Sequence, residues 1–175
     1  MGTYVALLRA VNLGSHARLP MARLRELIGE LGYAHARTYL QSGNAVFTTP
    51  IEDAGQVAAS LREALAADGV NTEVMVRTGA QVRAVAEAGH PFTAAGVEHT
   101  KLQVAFPLAP VTPQQLRGLA APGGESALAR DGEVFLHYPQ GVGVSKLTTA
   151  TLQRHLGTPV TCRNWKTVSA LAGMC

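Results

Sequence analysis

Residues 3–49 read TYVALLRAVNLGSHARLPMARLRELIGELGYAHARTYLQSGNAVFTT. Residues 3–8 form a short apolar run that predicts a strand, and Pro20 stands where a helix can begin. In residues 21–31, leucine and isoleucine recur at helical spacing, which predicts an amphipathic helix, and Gly32 follows as its expected C-cap. The chain therefore opens with a strand, a polar loop and a helix.

The next segments predict a hairpin and then a second helix and strand. Residues 36–40 and 45–49 favour strands and are joined by Gln41-Ser42-Gly43-Asn44, whose glycine and asparagine suit a tight turn. Asp53 can cap a helix that ends at Gly69, and residues 72–77 predict a fourth strand. This order, β-α-β-β-α-β, is that of a ferredoxin-like unit.

The second half of the chain repeats this order after a connecting helix at 80–88. Its predicted elements are a strand at 101–106, a helix from Thr112-Pro113 through Leu119, strands at 127–130 and 133–138, a helix at 145–156, a strand at 159–162 and a terminal helix at 165–172. The predicted fold is α+β, with two ferredoxin-like (βαββαβ) units in tandem, each with an antiparallel sheet, plus a C-terminal helix. We expect the first unit at 1–78, a connecting helix and loop at 79–100, and the second unit with the terminal helix at 101–175.

The composition fits a folded protein in a reducing compartment. Of 175 residues, 47% are hydrophobic and 15% are charged, which argues against a disordered chain or a disulfide scaffold. No apolar run approaches the ~20 residues of a membrane span and no leader pattern opens the chain, so we expect a cytoplasmic protein without a membrane partner. Cys162 and Cys175 suit reduced thiols, and a net charge of +3 does not by itself indicate nucleic acid.

A set of short motifs runs from the first predicted strand to the last helix. They are Leu8-Arg9-Ala10-Val11-Asn12-Leu13-Gly14, Leu19-Pro20-Met21 with Leu24-Arg25, Tyr39-Leu40-Gln41-Ser42-Gly43-Asn44, Val76-Arg77-Thr78, Pro91-Phe92, Ser145-Lys146-Leu147 and Thr161-Cys162-Arg163-Asn164-Trp165-Lys166-Thr167-Val168. In this order and spacing the chain resembles the bacterial family named domain of unknown function 1697. The resemblance implies a tandem ferredoxin-like fold and a compact cytosolic protein, and it implies no activity. Ala10 stands where the family usually shows glycine, and His16-Ala17-Arg18 replaces a loop that is more often rich in lysine.

Polar side chains cluster where strands one and two are predicted to end. They belong to Arg9, Asn12, Ser42 and Asn44. The two strands run parallel in this fold, so the loop after strand one and the hairpin after strand two should share one edge of the sheet. That edge would offer a guanidinium, amides and a hydroxyl near a helix N-terminus, which are groups that bind a carboxylate or a phosphate. The alternative is structural, with Arg9 paired to a carboxylate, Asn12 capping its loop and the hairpin residues forming a turn.

A second cluster is expected in the second unit. Its members are Lys146, Arg163 and Asn164. Lys146 and Arg163, beside a helix start at Ser145, would form a basic spot with Trp165 as a stacking wall. Alternatively, Ser145 and Asn164 cap helices and Trp165 anchors the terminal helix in the core. If the two rims face each other, both clusters line one cleft between the units that binds a small anionic ligand.

The sequence assigns no reaction, and we expect neither a cofactor nor a metal. The histidines show no HxxxH or HxH spacing and the cysteines form no CxxC pair. Ser42 lacks a GxSxG frame, and Gly141-Val142-Gly143-Val144-Ser145-Lys146 departs from the phosphate-binding P-loop pattern. His137, on a predicted strand, is the histidine of most interest, with a structural role as its alternative.

Two other functions stay open at this point. One is a regulatory module that binds a protein or single-stranded nucleic acid, and the other is a ligand-free role in which the motif residues only hold the structure. The RNA recognition motif has the same ferredoxin-like order and stacks bases on aromatic residues of strands one and three. Here strand one offers Tyr4 and strand three offers Phe47, while residues 3–8 are apolar on both faces, which disfavours RNA. The oligomeric state does not follow from the sequence.

Overall fold

The structure is a computed structural model that describes residues 1–15, 17–94 and 96–175. The expectation for the loop at His16 lies outside the described residues. The chain separates into two compact units, one formed by Met1–Ala84 with Leu171–Cys175 and the other by Val85–Ala170.

Both units are mixtures of helices and antiparallel strands, as the sequence predicts. The first six elements along the chain are β1 (Gly2–Leu8), α1 (Met21–Glu30), β2 (Ala34–Thr38), β3 (Asn44–Thr49), α2 (Ala54–Ala67) and β4 (Val74–Thr78). They are followed by α3 (Gly79–Ala88), β5 (Leu102–Pro107), β6 (Ser126–Arg130), β7 (Glu133–His137), α4 (Thr149–Leu156), β8 (Val160–Asn164) and α5 (Trp165–Met174). The fold is thus α+β and closes with a C-terminal helix.

The first sheet has the strand order β2-β3-β1-β4, with β1 antiparallel to both β3 and β4. Tyr4, Ala6 and Leu8 of β1 pack in one core with the apolar faces of α1 and α2. Val5 and Leu7 alternate with them along the strand and are also fully buried. This confirms that β1 is apolar on both faces.

The ends of the elements in the first unit follow local rules. Asp53 caps α2 by accepting hydrogen bonds from the backbone nitrogens of Gly55, at 2.7 Å, and Gln56, at 3.3 Å. The hairpin after β2 uses Gly43 in a left-handed conformation, with a φ of +82°. The second left-handed residue of this turn is Leu40, at +58°, and the predicted asparagine instead begins β3.

The second sheet has the equivalent order β6-β7-β5-β8, but its first crossover differs from the prediction. The helix predicted from Thr112-Pro113 through Leu119 is wrong, because the described segment is a short 3-10 helix at Pro113–Leu116. Thr112 and Gln115 do form a capping box. Gly118 then adopts a φ of +74°, which ends the helix after one turn.

Two boundaries near the second predicted cluster also move. The helix predicted to start at Ser145 begins four residues later, where the hydroxyl of Thr148 accepts a hydrogen bond from the nitrogen of Thr151 at 3.2 Å. It ends as predicted at Gly157, in a left-handed conformation. Strand β8 runs on to Asn164, so Arg163 lies inside the strand rather than after it.

Candidate functional site

The loop after β1 and the β2–β3 hairpin meet at one edge of the first sheet, as the topology predicts. The backbone nitrogen of Leu8, at the end of β1, donates to the carbonyl of Gly43 in the β2–β3 hairpin at 2.8 Å. The side-chain amide of Asn12 donates to the carbonyl of Leu19 at 2.8 Å and to that of Gln41 at 2.7 Å. Its oxygen accepts from the nitrogen of Leu19 at 2.7 Å. Asn12 thus ties the β1–α1 loop to the hairpin, and its amide is occupied by backbone groups.

Ser42 and Asn44 both lie within the hairpin. Asn44 is fully buried, and its amide donates to the carbonyl of Tyr39 at 2.8 Å and to the hydroxyl of Ser42 at 2.9 Å. A buried amide that binds backbone and its own turn stabilises the turn conformation. These contacts match the structural alternative for the hairpin pair.

Arg9 lines a separate cavity of about 460 Å³ in the first unit. The lining residues are Arg9, Arg62, Glu63, Ala66, Asn71, Thr72 and Glu73, which come from the end of β1, the last turns of α2 and the segment that leads into β4. The backbone of Arg9 is held by its own nitrogen, which donates to the carbonyl of Glu73 at 3.0 Å. The hydroxyl of Thr72 also donates to the carbonyl of Arg9.

The charged groups of this cavity are incompletely paired. The Nε of Arg9 is buried and finds no hydrogen-bond acceptor among the described residues. The Oε2 of Glu73 is likewise buried without a hydrogen-bond donor there, and it forms an ion pair with Nη1 of Arg62 at 3.6 Å, which is too long for a hydrogen bond. A cavity lined by an arginine whose Nε has no hydrogen-bond partner among the described residues is a candidate site for a carboxylate or a phosphate.

A second concavity of the first unit, of about 520 Å³, lies beside the start of α1. Asn12, Arg18, Pro20 and Gln41 are among its lining residues. Pro20 is the N-cap of α1 and offers no side-chain hydrogen bond to the first turn. Arg9 does not line this concavity, so the structure places Arg9 and Asn12 in two separate depressions.

In the second unit, Lys146 lines a smaller cavity of about 200 Å³ with Glu125 and Ser145. The hydroxyl of Ser145 donates to one oxygen of Glu125, and the nitrogen of Gly123 donates to the other at 2.9 Å. These hydrogen bonds, with that from Ser145 the strongest, hold the pKa of Glu125 below its ordinary value. Ser145 also accepts from the nitrogen of Leu147 at 3.0 Å, so it organises a loop and does not cap a helix.

Arg163 and Asn164 both form hydrogen bonds with neighbouring groups of the protein. Arg163 is 7% exposed, and its Nη1 donates to the hydroxyl of Thr161 at 2.7 Å and to the carbonyl of Cys162 at 2.9 Å. Burial lowers the pKa of Arg163 to about 10. The side-chain oxygen of Asn164 accepts from the nitrogen of Thr167 at 2.8 Å, which matches the capping alternative for α5. Arg163 is not among the residues that line the cavity of Lys146, and the expected single cleft stays a prediction.

His90 forms a buried aromatic cluster that sequence reasoning missed. Its Nε2 lies 3.0 Å from the carbonyl of Gln103, and its Nδ1 accepts from the nitrogen of Phe92 at 3.3 Å, so the ring is the Nε2-protonated tautomer. The rings of Phe135 and Trp165 meet it edge-on, each with a centroid separation of 5.3 Å. Burial lowers the pKa of His90, which keeps the ring neutral. A histidine before Pro-Phe in a loop carries no sequence signal for such a role.

Glu73 and Arg62 were also missed, and only one of them had a signal. Glu73 stands just before the segment that becomes β4, and antiparallel pairing of β1 with β4 places it opposite Arg9. Arg62 lies on the exposed side of α2, where sequence does not distinguish a site residue from a solvated one. Within the described ranges, no group of three or more histidine, cysteine or acidic side chains is arranged to hold a metal ion. The described helices include none with the length and hydrophobicity to cross a membrane.

Comparison with known proteins identifies a family and a fold but no activity. The model of the family described as "Protein of unknown function (DUF1697)" matches residues 1–135. A solved structure of the conserved bacterial protein SP0830 from Streptococcus pneumoniae is similar, with a TM-score of 0.74, 19% sequence identity and coverage of 99% of this chain and 98% of that chain. No curated protein matches the chain. Because the family match spans well over half of the sequence, from β1 into β7, this chain belongs to the DUF1697 family.

Proposed function

We propose that this protein binds a small anionic ligand, through a phosphate or a carboxylate group, in the Arg9 cavity of its first unit. We place this activity in the cytoplasm, where Cys162 and Cys175, which are both free, stay reduced. The observation that carries the proposal is the guanidinium of Arg9, whose buried Nε has no partner among the described residues. A ligand oxyanion against the part of this side chain that lines the cavity is a charge partner that the described residues do not supply.

Energetics support a binding role for Arg9 over a structural one. A buried polar group without a hydrogen bond costs about 1–3 kcal/mol of stability, so selection for stability alone does not favour this arginine. Sites that sacrifice stability are typical of binding and catalysis. The cavity, at about 460 Å³, falls within the range of roughly 300–1,000 Å³ for small-molecule sites.

The other predicted ligand residues of the first unit support a structural role. The side chains of Asn12, Ser42 and Asn44 all form hydrogen bonds within the β1–α1 loop and the hairpin. The same holds for Asn164, the cap of α5. For these residues the ligand-free alternative is favoured, and the proposed site rests on Arg9 and Arg62.

The test is a thermal-shift titration with inorganic phosphate, sulfate and acetate at low ionic strength. It compares wild type with Arg9→Met and with the matched control Arg18→Met, which removes an exposed arginine from the other concavity of the same unit. A ligand at about 100 times its Kd stabilises the native state by about 2.7 kcal/mol, or a few degrees. We expect that shift in wild type and Arg18→Met and its loss in Arg9→Met.

The unliganded variants complete the experiment. We expect Arg9→Met to unfold at the same temperature as wild type or above it, because an unpaired buried donor is removed. A shift that survives in Arg9→Met, or that disappears only in Arg18→Met, contradicts the proposed site. Strong destabilisation of Arg9→Met with no anion response in wild type would assign Arg9 a structural role.

A further inference from the structure

We infer that the ligand of the Arg9 cavity is a zwitterion of the amino-acid type, with a carboxylate and an ammonium group. This inference rests on the proposed function and names the class of molecule that the same cavity takes. The lining carries charges of both signs, with Arg9 and Arg62 positive and Glu63 and Glu73 negative. A ligand with a single negative group would satisfy the arginines and be repelled by the carboxylates.

Glu73 provides the first specific argument for a cationic group on the ligand. Its Oε2 is buried without a hydrogen bond, and its ion pair with Nη1 of Arg62, at 3.6 Å, is too long to supply one. Glu73 lies directly before β4 and Arg9 directly after β1, and the nitrogen of Arg9 donates to the carbonyl of Glu73, which continues the pairing of the two strands by one residue. Directly opposed residues of an antiparallel pair have Cβ atoms about 4.5–5.5 Å apart. The side chains of Arg9 and Glu73 therefore start from neighbouring positions in the wall of one cavity.

The end of α2 provides a second and independent argument. Arg62, Glu63 and Ala66 belong to the last turns of this helix, which ends at Ala67. The C-terminus of a helix carries a partial negative charge, and α2 has no basic side chain in its last turn to offset it. An ammonium group in the cavity would lie near this negative end, whereas a bare phosphate would gain nothing from it.

The experiment measures binding by calorimetry to wild-type protein. The probes are the twenty common amino acids, each titrated alone, their N-acetyl counterparts, acetate and inorganic phosphate. N-acetylation removes the ammonium charge and keeps the carboxylate. We expect at least one amino acid to bind, and its N-acetyl counterpart to bind at least tenfold more weakly.

The Glu73→Gln variant tests the role of the carboxylate, with Glu52→Gln as the control for loss of an exposed carboxylate elsewhere in the unit. We expect Glu73→Gln to weaken the amino acid at least tenfold and to leave acetate and phosphate binding equal or tighter, because repulsion is removed. The unfolding midpoint of each variant checks that it remains folded, and Glu73→Asp serves if Glu73→Gln does not fold.

The outcomes separate this inference from the proposal on which it depends. Anions that bind in an Arg9-dependent manner, with amino acids no tighter than their N-acetyl forms, would overturn the zwitterion and leave the anion site standing. Equal effects of Glu73→Gln on amino acids and acetate would overturn it as well. Failure of all the probes to bind wild type would overturn both.

Discussion

Ala10 holds a left-handed backbone conformation, with a φ of +51°, directly after β1 ends. This conformation costs a residue with a Cβ about 1–2 kcal/mol, whereas glycine adopts it freely. Glycine loses about 0.5–1 kcal/mol through its more flexible unfolded state. We therefore expect Ala10→Gly to raise the free energy of unfolding by about 0.5–1 kcal/mol in chemical denaturation. Ala22→Gly, on the exposed side of α1, is the control and should lower it by about 1 kcal/mol.

Gly43 is required for two reasons, and the second can be isolated. Its φ is +82°, and a Cβ at this position would lie 2.7 Å from Cγ2 of Val11 and 2.8 Å from Cβ of Leu8. Gly32 has a similar φ of +78°, but a Cβ there would meet nothing within 4 Å. We expect Gly43→Ala to destabilise the protein by about 1–3 kcal/mol more than Gly32→Ala in urea denaturation. Equal losses in the two variants would show that backbone strain alone requires the glycine.

Residue types indicated part of the candidate site and missed the rest for a physical reason. Arg9 was found because a charged residue at the end of a buried strand is conspicuous. Asn12 looked equally suitable, but whether an amide faces ligand or backbone depends on the loop conformation, which the sequence pattern does not specify. Arg62 comes from another element altogether, and its placement beside Arg9 depends on how α2 packs.

At the scale of elements, the side chain of Asn12 connects the β1–α1 loop to the β2–β3 hairpin through hydrogen bonds. Its three hydrogen bonds, of 2.7–2.8 Å, join segments that are separated in sequence. Asn12→Ala leaves two carbonyls and one backbone nitrogen without these partners, so we expect a loss of about 2–3 kcal/mol in the free energy of unfolding. Asn71→Ala, which removes an exposed amide of the same unit, should change it by less than about 0.5 kcal/mol. Equal stability of the two variants would show that water replaces the hydrogen bonds of the Asn12 side chain at no net cost.

The elements themselves were predicted well where periodicity and caps agree. For α1 and α2, apolar spacing, Pro20, Asp53 and the terminal glycines all point to the same boundaries, and both helices form there. The helix predicted from Thr112-Pro113 through Leu119 was wrong because Thr112-Pro113 indicates only where a helix can begin, and the segment is a 3-10 helix at Pro113–Leu116. A helix also needs length, and Gly118 interrupts this one before a second turn can add hydrogen bonds.

At the scale of the whole molecule, pH should act through His90. Burial lowers the pKa of His90. The nearby Arg130 and His137 lower it further, because positive charge on them would repel a protonated ring. On acidification, His90 of the unfolded chain therefore becomes protonated near pH 6.5, whereas His90 of the folded protein becomes protonated only at a lower pH. Stability is complete above about pH 6.5 and falls below it, by up to about 1.4 kcal/mol per pH unit until the folded ring titrates.

The measurement for this prediction is urea denaturation at several pH values from neutral to mildly acidic. We expect His90→Gln to be less stable than wild type at neutral pH and to lose less stability on acidification. His155→Gln, which removes an exposed histidine from α4, is the matched control. A wild-type slope that His90→Gln leaves unchanged would assign the pH dependence to other groups.

The strand order of both sheets was predictable because each unit repeats one simple topology. Two four-stranded antiparallel sheets are present in the described residues, each with its first and third strands paired at the centre. A solved structure with 19% sequence identity has a similar fold, so this fold does not require the same side chain at most positions. Function depends on those particular side chains, which is why the fold carries no activity with it.

The single tryptophan of the chain lies in the His90 cluster, where it is 8% exposed. Its fluorescence therefore reports on the packing around His90 in the second unit, whereas far-ultraviolet circular dichroism reports on the helices and strands of both units. When the two signals follow one denaturation curve, the units unfold together as a single cooperative system. When the two curves differ, the tryptophan curve reports the unfolding of the second unit, and the remaining change in circular dichroism reports the unfolding of the first.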